Sequence, residues 1–180
     1  LRPEHGEGRS YAGRISEGRL AVGDEVVILP RGTPARIATI ETFDGRLEAA
    51  QAPLSVSIRF TEEVDVSRGD LIATARDAPK SCSNFEVTLA CLGTHPLKPS
   101  GQFLMKVGTQ KTEVVVRSLQ DKLDLESLKH RDGVDELALN DIGRASLTCV
   151  EPVAADAGGR FILIDPWTKE TVAAGLIGAL

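Results

Sequence analysis

The stretch AGRISEGRLAVGDEVVILPRG, from Ala12 to Gly32, decides the fold. Turn signals that contain glycine separate short apolar runs, and this pattern predicts a hairpin of a β-barrel. Within it, Val26 and Ile28 alternate with Val27 and Leu29, so both faces of the strand are apolar and both are expected to be covered. One side would face the barrel interior, and a loop or an interdomain surface would cover the other. The stretch holds no catalytic constellation, so we expect the chemistry to lie elsewhere.

The same strand pattern continues along the chain. The segments PLSVSIRF (53–60), NFEVTLACL (84–92) and QFLMKV (102–107) alternate apolar and polar residues with a period of two, which is typical of half-buried strands. Turn signals separate them at intervals of about 8–12 residues, as in antiparallel barrels. The best helical candidate, DLESLKH (124–130), offers only a turn or two. The predicted fold class is therefore all-β, with two antiparallel β-barrels.

A polar break divides the chain. The segment Ala75–Asn84 carries Pro79 and follows a completed strand, so we place a linker there. Residues 1–78 would form one small barrel and residues 79–180 a second. Of the 180 residues, 42% are apolar and only 4% aromatic, so Val, Ile, Leu and Ala must fill both cores.

Charge and cysteine usage exclude several classes of protein. The chain has 21 Lys and Arg against 26 Asp and Glu, a net charge of −5 that argues against a general nucleic-acid binder. No apolar run approaches the ~20 residues that span a bilayer, so we expect no membrane partner. Cys82, Cys91 and Cys149 form no CxxC pair, which fits a reducing cytoplasm and gives a zinc site no support. There is no initiator Met and no visible signal peptide, so we expect the chain to be cut from something longer.

Motifs for catalysis are weak. Neither GxxxxGK[ST] nor GxSxG occurs in the sequence. Acidic neighbours such as Asp121 with Asp124 could serve as general acid and base, but solvated loop charge is the favoured interpretation. Ser67–Asp70 reads SRGD; a glycine turn into the strand at Leu71 is favoured over an adhesion tripeptide. We predict no catalytic, cofactor-binding or metal-binding residue in this chain.

Seven segments in order carry a family resemblance. They are Arg9–Gly13, Val22–Asp24, Leu29–Gly32, Thr42–Gly45, Asp65–Asp70, ELALNDIGRASLTCVEP (136–152) and GRFILIDPWTKETVAAG (159–175). Together they resemble the second and third domains of translation-factor GTPases. More narrowly, they resemble the large subunit of bacterial sulfate adenylyltransferase, subunit 1 of the CysN/NodQ type. Ser10 stands where that family usually has Gly, and 153–159 looks shorter than the family's loop.

The resemblance implies a function that needs no catalytic residue here. The intact subunit would be a GTPase that partners a catalytic small subunit, and together they would make adenylyl sulfate and pyrophosphate from ATP and sulfate, driven by GTP hydrolysis. GTP and Mg would bind the parent's N-terminal domain and ATP the small subunit, which leaves this chain inactive alone although its parent is an enzyme. The two barrels would pass the nucleotide state on by rigid-body rearrangement.

Five residues are candidates for contact with the parent's own GTPase domain or with the small subunit: Arg68, Gly69, Asp70, Phe43 and Asp44. Arg offers a forked donor and Asp an acceptor, which suits a specific polar contact. The alternative for Asp70 is a cap that bonds a nearby backbone N–H. Two other functions stay open: tRNA or nucleic-acid binding by translation-factor-type barrels, and a stand-alone binding module. The acidic charge and the few aromatic residues weigh against the first.

Overall fold

The computed structural model describes residues 9–155 and 158–178. Fifteen β-strands and no helix occur in these ranges, so the all-β expectation is confirmed. The chain divides into two compact units, Leu1–Ala78 and Pro79–Leu180, and each has its own apolar core. In the described ranges, no helix has the length and apolar character needed to cross a bilayer.

Eight antiparallel strands build the first unit. Their bounds are β1 Tyr11–Arg14, β2 Arg19–Ala21, β3 Glu25–Leu29, β4 Thr33–Thr42, β5 Gly45–Leu47, β6 Ala49–Gln51, β7 Ser55–Phe60 and β8 Leu71–Thr74. The main sheet has the order β1-β7-β4-β3-β8, with β5 paired to β4, while β2 and β6 form a small second sheet. The long strand β4 therefore lies at the centre of the unit.

Branched aliphatic side chains fill the first core, as the low aromatic content requires. Ile28 of β3 and Ile37 and Ile40 of β4 are almost completely buried. Along β3, Leu29 is also buried and Val27 is half-buried, so both faces of this strand are largely covered, as expected from its sequence. In this register of β3 on β4, Val26 lies opposite Ala35 and Ile28 opposite Thr33.

Seven antiparallel strands build the second unit. Their bounds are β9 Ser81–Cys91, β10 Gln102–Val107, β11 Gln110–Asp124, β12 Lys129–Asp132, β13 Ile142–Ala154, β14 Arg160–Ile164 and β15 Thr171–Ile177. The order is β10-β14-β15-β9-β13-β11-β12, and β10 also pairs with β11. This last pairing closes six strands into a barrel, and β12 extends from it as a hairpin partner of β11.

The core of the second unit lies inside this closed ring. Phe85, Val87, Leu89 and Cys91 of β9 are all buried, so the alternation in their segment is confirmed. Two register shifts interrupt the pairing of β11 with β13, between Val116 and Ser118 and between Leu119 and Asp121. These irregularities bend β11, which fits a strand that must follow the curve of a small barrel.

The helical candidate at 124–130 is wrong. β11 continues to Asp124 and β12 begins at Lys129, so the segment is the tip of a β-hairpin. Asp124 Oδ1 accepts hydrogen bonds from the backbone N–H groups of Glu126 and Ser127, both at 3.0 Å. An aspartate that bonds the backbone two and three residues ahead favours a turn over a helix interior, and this local chemistry explains the difference.

The linker ends earlier in the structure than the predicted Ala75–Asn84 segment. Strand β9 begins at Ser81, and Ser81 and Cys82 pair with Ala154 and Val153 of β13. The polar residues at 81–84 are therefore part of the barrel. Polarity alone misleads here because the outer face of an antiparallel strand tolerates serine and asparagine.

Candidate functional site

The turn Ser67–Asp70 precedes β8 and holds three candidate residues. Gly69 has a φ of +105°, a conformation that favours glycine. The N–H of Asp70 donates to the Ser67 carbonyl at 3.1 Å, and the N–H of Ser67 donates to Asp70 Oδ2 at 2.8 Å. This is the glycine turn that the sequence predicts at this place.

Arg31, in the connection between β3 and β4, completes the turn. Its Nη2 donates to Asp70 Oδ2 at 2.8 Å and to Ser67 Oγ at 3.2 Å. Arg31 also lies 3.8 Å from Asp65, which is equally far from Arg9. Sequence reasoning misses Arg31 because its contact depends on the pairing of β3 with β8, which places the residues after β3 beside those before β8.

Asp70 and Arg68 have different surroundings. The Asp70 side chain is only 10% exposed and bonds its own turn and Arg31. Arg68 is exposed, and no ion pair involves it in the described part of the chain. Asp70 therefore supports the turn, as the capping alternative holds, while Arg68 is the side chain of this pair that is available to a partner.

Phe43 and Asp44 form the tip of the hairpin between β4 and β5. Thr42 Oγ1 accepts from the N–H of Asp44 and donates to the carbonyl of Gly45, both at 3.3 Å. Gly45 has a φ of +125°, which only glycine adopts readily. The tip is thus held in place while Phe43 is fully exposed, as an aromatic anchor for a partner would be.

The five candidates do not meet in one place. The Ser67–Asp70 turn lies beside Arg31, close to where β4 begins at Thr33, because Ile28 pairs with both Thr33 and Ile72. The Phe43 hairpin follows the other end of β4, at Thr42. The first unit therefore offers two candidate contacts at opposite ends of its central strand.

A buried ionic cluster lies in the second unit. Asp121 has no exposed surface, and its carboxylate accepts from Arg144 Nε at 2.5 Å and contacts His130 Nδ1 at 3.0 Å. These residues belong to β11, β13 and β12, so the cluster joins three strands next to a register shift. The interpretation of Asp121 as solvated loop charge is wrong, since Asp121 lies on β11 opposite Arg144 and its side chain has no exposed surface.

The partners of Asp121 keep it ionised. Burial on its own raises the pKa of this carboxyl, but the hydrogen bonds and charges of Arg144 and His130 outweigh it and hold the pKa below the usual 3.8. The cluster is therefore an ion pair with a supporting histidine. The three side chains bond one another and connect the strands, which is the arrangement of a stabilising polar network.

The cysteines behave as small apolar residues. Cys91 and Cys149 are buried and Cys82 is half-buried, and all three are free thiols. Burial raises the pKa of the Cys149 thiol to about 11, and its sulfur lies 3.7 Å from Met105 Sδ. In the described ranges, no group of three or more His, Cys, Asp or Glu residues could hold a metal ion.

The closed barrel matches a known family. Residues 84–178, more than half of the chain, match the family model described as GTP-eEF1A C-terminal domain-like. The chain belongs to this family. The match covers the second unit except residues 79–83 and 179–180, so the family accounts for the six-strand ring and its β12 hairpin.

Curated relatives extend the likeness of this family member to both units. Sulfate adenylyltransferase subunit 1 of Vibrio atlanticus is 39% identical over 176 residues, which are 94% of this chain and 37% of the relative. The bifunctional enzyme CysN/CysC of Mycobacterium tuberculosis is 36% identical over 181 residues, 97% of this chain and 30% of the relative. The resemblance to the CysN-type subunit is thus confirmed, and the chain spans about a third of the length of these relatives.

Solved structures agree on the fold. Sup35 complexed with GDP superposes with a TM-score of 0.84 at 20% identity, over 95% of this chain and 44% of that one. Sup35 complexed with GMPPNP gives a TM-score of 0.83. The predicted fold class, an all-β chain of two antiparallel barrels of translation-factor type, is confirmed for this family member.

Proposed function

We propose that this chain forms the second and third domains, both barrels, of the GTPase subunit of a sulfate adenylyltransferase. The observation that carries the proposal is the identity of 35–39% to sulfate adenylyltransferase subunit 1 over at least 94% of the chain. Both units take part in this match, in a single order, so the two barrels are related to that subunit as a pair.

The role is coupling, without catalysis by these barrels. GTP and Mg bind the parent's N-terminal domain, and ATP and sulfate react on the catalytic small subunit in the cytoplasm. The barrels carry the nucleotide state between them through contacts that differ between two states. The clustered ionisable side chains bond one another within the fold, which supports a role without catalysis. Asp70 bonds its own turn and Arg31, and Asp121 bonds Arg144 and His130.

Two exposed side chains are the proposed contacts of the first unit. Arg68 projects from the turn before β8 and meets the GTPase domain, where a forked guanidinium suits a carboxylate. Phe43 projects from a fixed hairpin tip, so its burial by a partner costs little conformational entropy. Both side chains project from turns whose backbone is held by hydrogen bonds, as a contact that reports a domain rotation requires.

Copurification tests this proposal. The chain, immobilised, is mixed with the purified catalytic small subunit and the GTPase domain of its parent, and separately with tRNA at low salt. We expect retention of the sulfate adenylyltransferase components and no retention of tRNA. Retention of tRNA alone would favour the translation-factor function. Calorimetry with GTP is a second check, and micromolar binding by the isolated chain would contradict the assignment of GTP to another domain.

A further inference from the structure

The outer surface of the closed barrel has a polar half. On β9, β13 and β11 the outward side chains bond one another: Thr148 donates to Asn84 at 2.8 Å, Arg117 donates to Thr148 at 3.1 Å, and Ser146 donates to Glu86. Several outward side chains of these strands therefore bond one another, although Val150 of β13 is exposed and apolar.

The other half of the same surface is apolar. Outward positions on β10, β14 and β15 are Leu104, Ile162, Ile164 and Ala174, all half-buried, and Leu176, which is exposed. The register makes them neighbours, because Leu104 lies opposite Ile164 and Ile162 opposite Ala174. We define Leu104, Ile162, Ile164 and Ala174 as the apolar face.

A tryptophan lies at the tip of the β14–β15 hairpin, in the loop that follows Ile164. Trp167 is 78% exposed and is the only Trp of the chain. Asp165 Oδ1 accepts from the N–H groups of Trp167 and Thr168, both at 2.8 Å, and the Asp165 N–H donates to the Glu170 carbonyl at 2.9 Å. The loop of residues 165–170 is thus held by hydrogen bonds around a large exposed aromatic side chain, which is the arrangement of a binding anchor.

Positive charge borders the apolar face. Lys106 lies opposite Ile162 on β14 and opposite Lys111 on β11, and Arg160 lies opposite Leu176. All three cations are exposed, and they form no ion pair with the residues that the structure describes. Glu113, the carboxylate opposite Leu104, is likewise in no ion pair there. Like charges directly opposite each other destabilise a sheet, so an acidic partner would relieve the Lys106–Lys111 pair.

We infer that the apolar face, with Trp167 at one end and the Lys106, Lys111 and Arg160 border at the other, docks a protein surface that has an apolar centre and flanking carboxylates. This inference rests on the proposed function for its occupant, which is the catalytic small subunit. The first unit then meets the GTPase domain through Arg68, and the second unit meets the small subunit through this face. The two barrels thereby bridge the two partners whose states they couple.

The test measures binding of the purified small subunit to the full chain by calorimetry and by Trp167 emission, with Trp167→Phe as the fluorescence background. Trp167→Ala and the double variant Lys106→Glu/Arg160→Glu change only exposed side chains. We expect each to weaken binding more than about tenfold, as loss of an aromatic anchor does, and the charge reversal also to remove the salt dependence. The matched control Arg117→Glu/Lys129→Glu makes the same charge change on the polar half and β12, and binding should stay within twofold.

The outcomes separate this inference from the proposed function. Binding that survives both variants but is lost in Phe43→Ala overturns the inference and leaves the proposed function intact. Absence of binding by the unaltered chain overturns the inference, while the proposed function is then judged by copurification of the parent's GTPase domain. Self-association in sedimentation that Trp167→Ala abolishes would assign the face to a second copy, and binding to phosphatidylserine vesicles that the charge reversal abolishes would assign it to a membrane. Either result would overturn the inference that a partner protein docks on the apolar face.

Discussion

Asp121 Oδ2 lies 2.5 Å from Nε of Arg144, and the carboxylate in this pair has no exposed surface. The contact joins β11 to β13 where their register shifts. A charge this deep is stable only while its partners are present, because its water of hydration has been removed. The stability of the second unit should therefore depend strongly on this one side chain.

Replacement of Asp121 by Ala tests that dependence. We expect a loss of about 3 kcal/mol in the free energy of unfolding, the lower end for a broken buried pair because Arg144 is itself half-exposed. Urea unfolding followed by circular dichroism measures the loss. Asp135→Ala, at an exposed position outside the strands, is the control and should change stability by less than about 0.5 kcal/mol. Equal effects of the two substitutions would contradict a structural role for the cluster.

The same carboxylate predicts a pH dependence. The pKa of Asp121 is lowered in the fold from its usual 3.8, so its contribution to stability is complete above that value and is lost as pH falls through the lower, folded pKa. We expect the melting temperature of the unaltered chain to exceed that of Asp121→Asn at about pH 5, and the difference to shrink at lower pH. If this difference in melting temperature grew as the pH fell, it would contradict a lowered pKa for Asp121.

Gly143 provides a second local test in the same region. A Cβ at this position would lie 2.3 Å from the carbonyl oxygen of Asp121 and 2.9 Å from Leu137, so even alanine cannot fit without movement of the backbone. We expect Gly143→Ala to destabilise the chain by about 1–3 kcal/mol or more, the cost of overpacking. Gly13→Ala is the matched control, because nothing lies within 4 Å of the added methyl group, and its unfolding midpoint in urea should not fall.

Much of the strand architecture is predictable from hydrophobic periodicity. The hairpin tip after Asp124 is not, and its side-chain hydrogen bonds explain why. The alternation of Phe85, Val87 and Leu89 suffices to identify β9, because a period of two has a single structural meaning when one face is buried. The segment after Asp124 is too short for periodicity to distinguish a helix from a hairpin tip, and the turn is decided by side-chain bonds to the backbone.

The candidate site divides in the same way. The turn at Gly69 is readable from local chemistry, since glycine before a strand predicts a positive φ. The roles of Arg31 and Asp121 are not readable, because each depends on a partner more than twenty residues away and on which strands pair. The cation border of the apolar face likewise appears only once Lys106, Lys111 and Arg160 are placed on adjoining strands.

Thiol chemistry distinguishes the three cysteines. Burial raises the pKa of Cys149 to about 11, so at pH 8 it stays protonated as well as inaccessible, and Cys91 is buried. Cys82 is half-buried on the polar stretch of β9. We expect a disulfide reagent such as DTNB to modify one thiol in the folded chain and three in denaturant. If Cys82→Ser removes the thiol that reacts in the folded chain, Cys82 is the accessible cysteine. Rapid reaction of Cys149 in the folded chain would contradict its burial.

The last prediction separates Arg68 from Asp70. Asp70 holds the Ser67 N–H at 2.8 Å and Arg31 at 2.8 Å, whereas Arg68 is exposed. Asp70→Ala should therefore destabilise the isolated chain by about 1–2 kcal/mol, the cost of losing hydrogen bonds to a charged cap. Arg68→Ala should leave its melting temperature unchanged, because no contact of the fold is removed.

The proposed parent, a GTPase subunit, gives the second readout for these two variants. If Arg68 meets the GTPase domain, Arg68→Ala lowers GTP-dependent stimulation of adenylyl sulfate synthesis at unchanged stability, and Arg68→Lys restores it only in part because lysine lacks the forked donor. Asp70→Ala should lower activity only in proportion to the folded protein lost. Normal stimulation in Arg68→Ala would remove this residue from the contact and leave Phe43, at the opposite end of β4, as the anchor of the first unit. Measurement of both quantities on both variants thus decides whether the turn or the hairpin tip carries the signal.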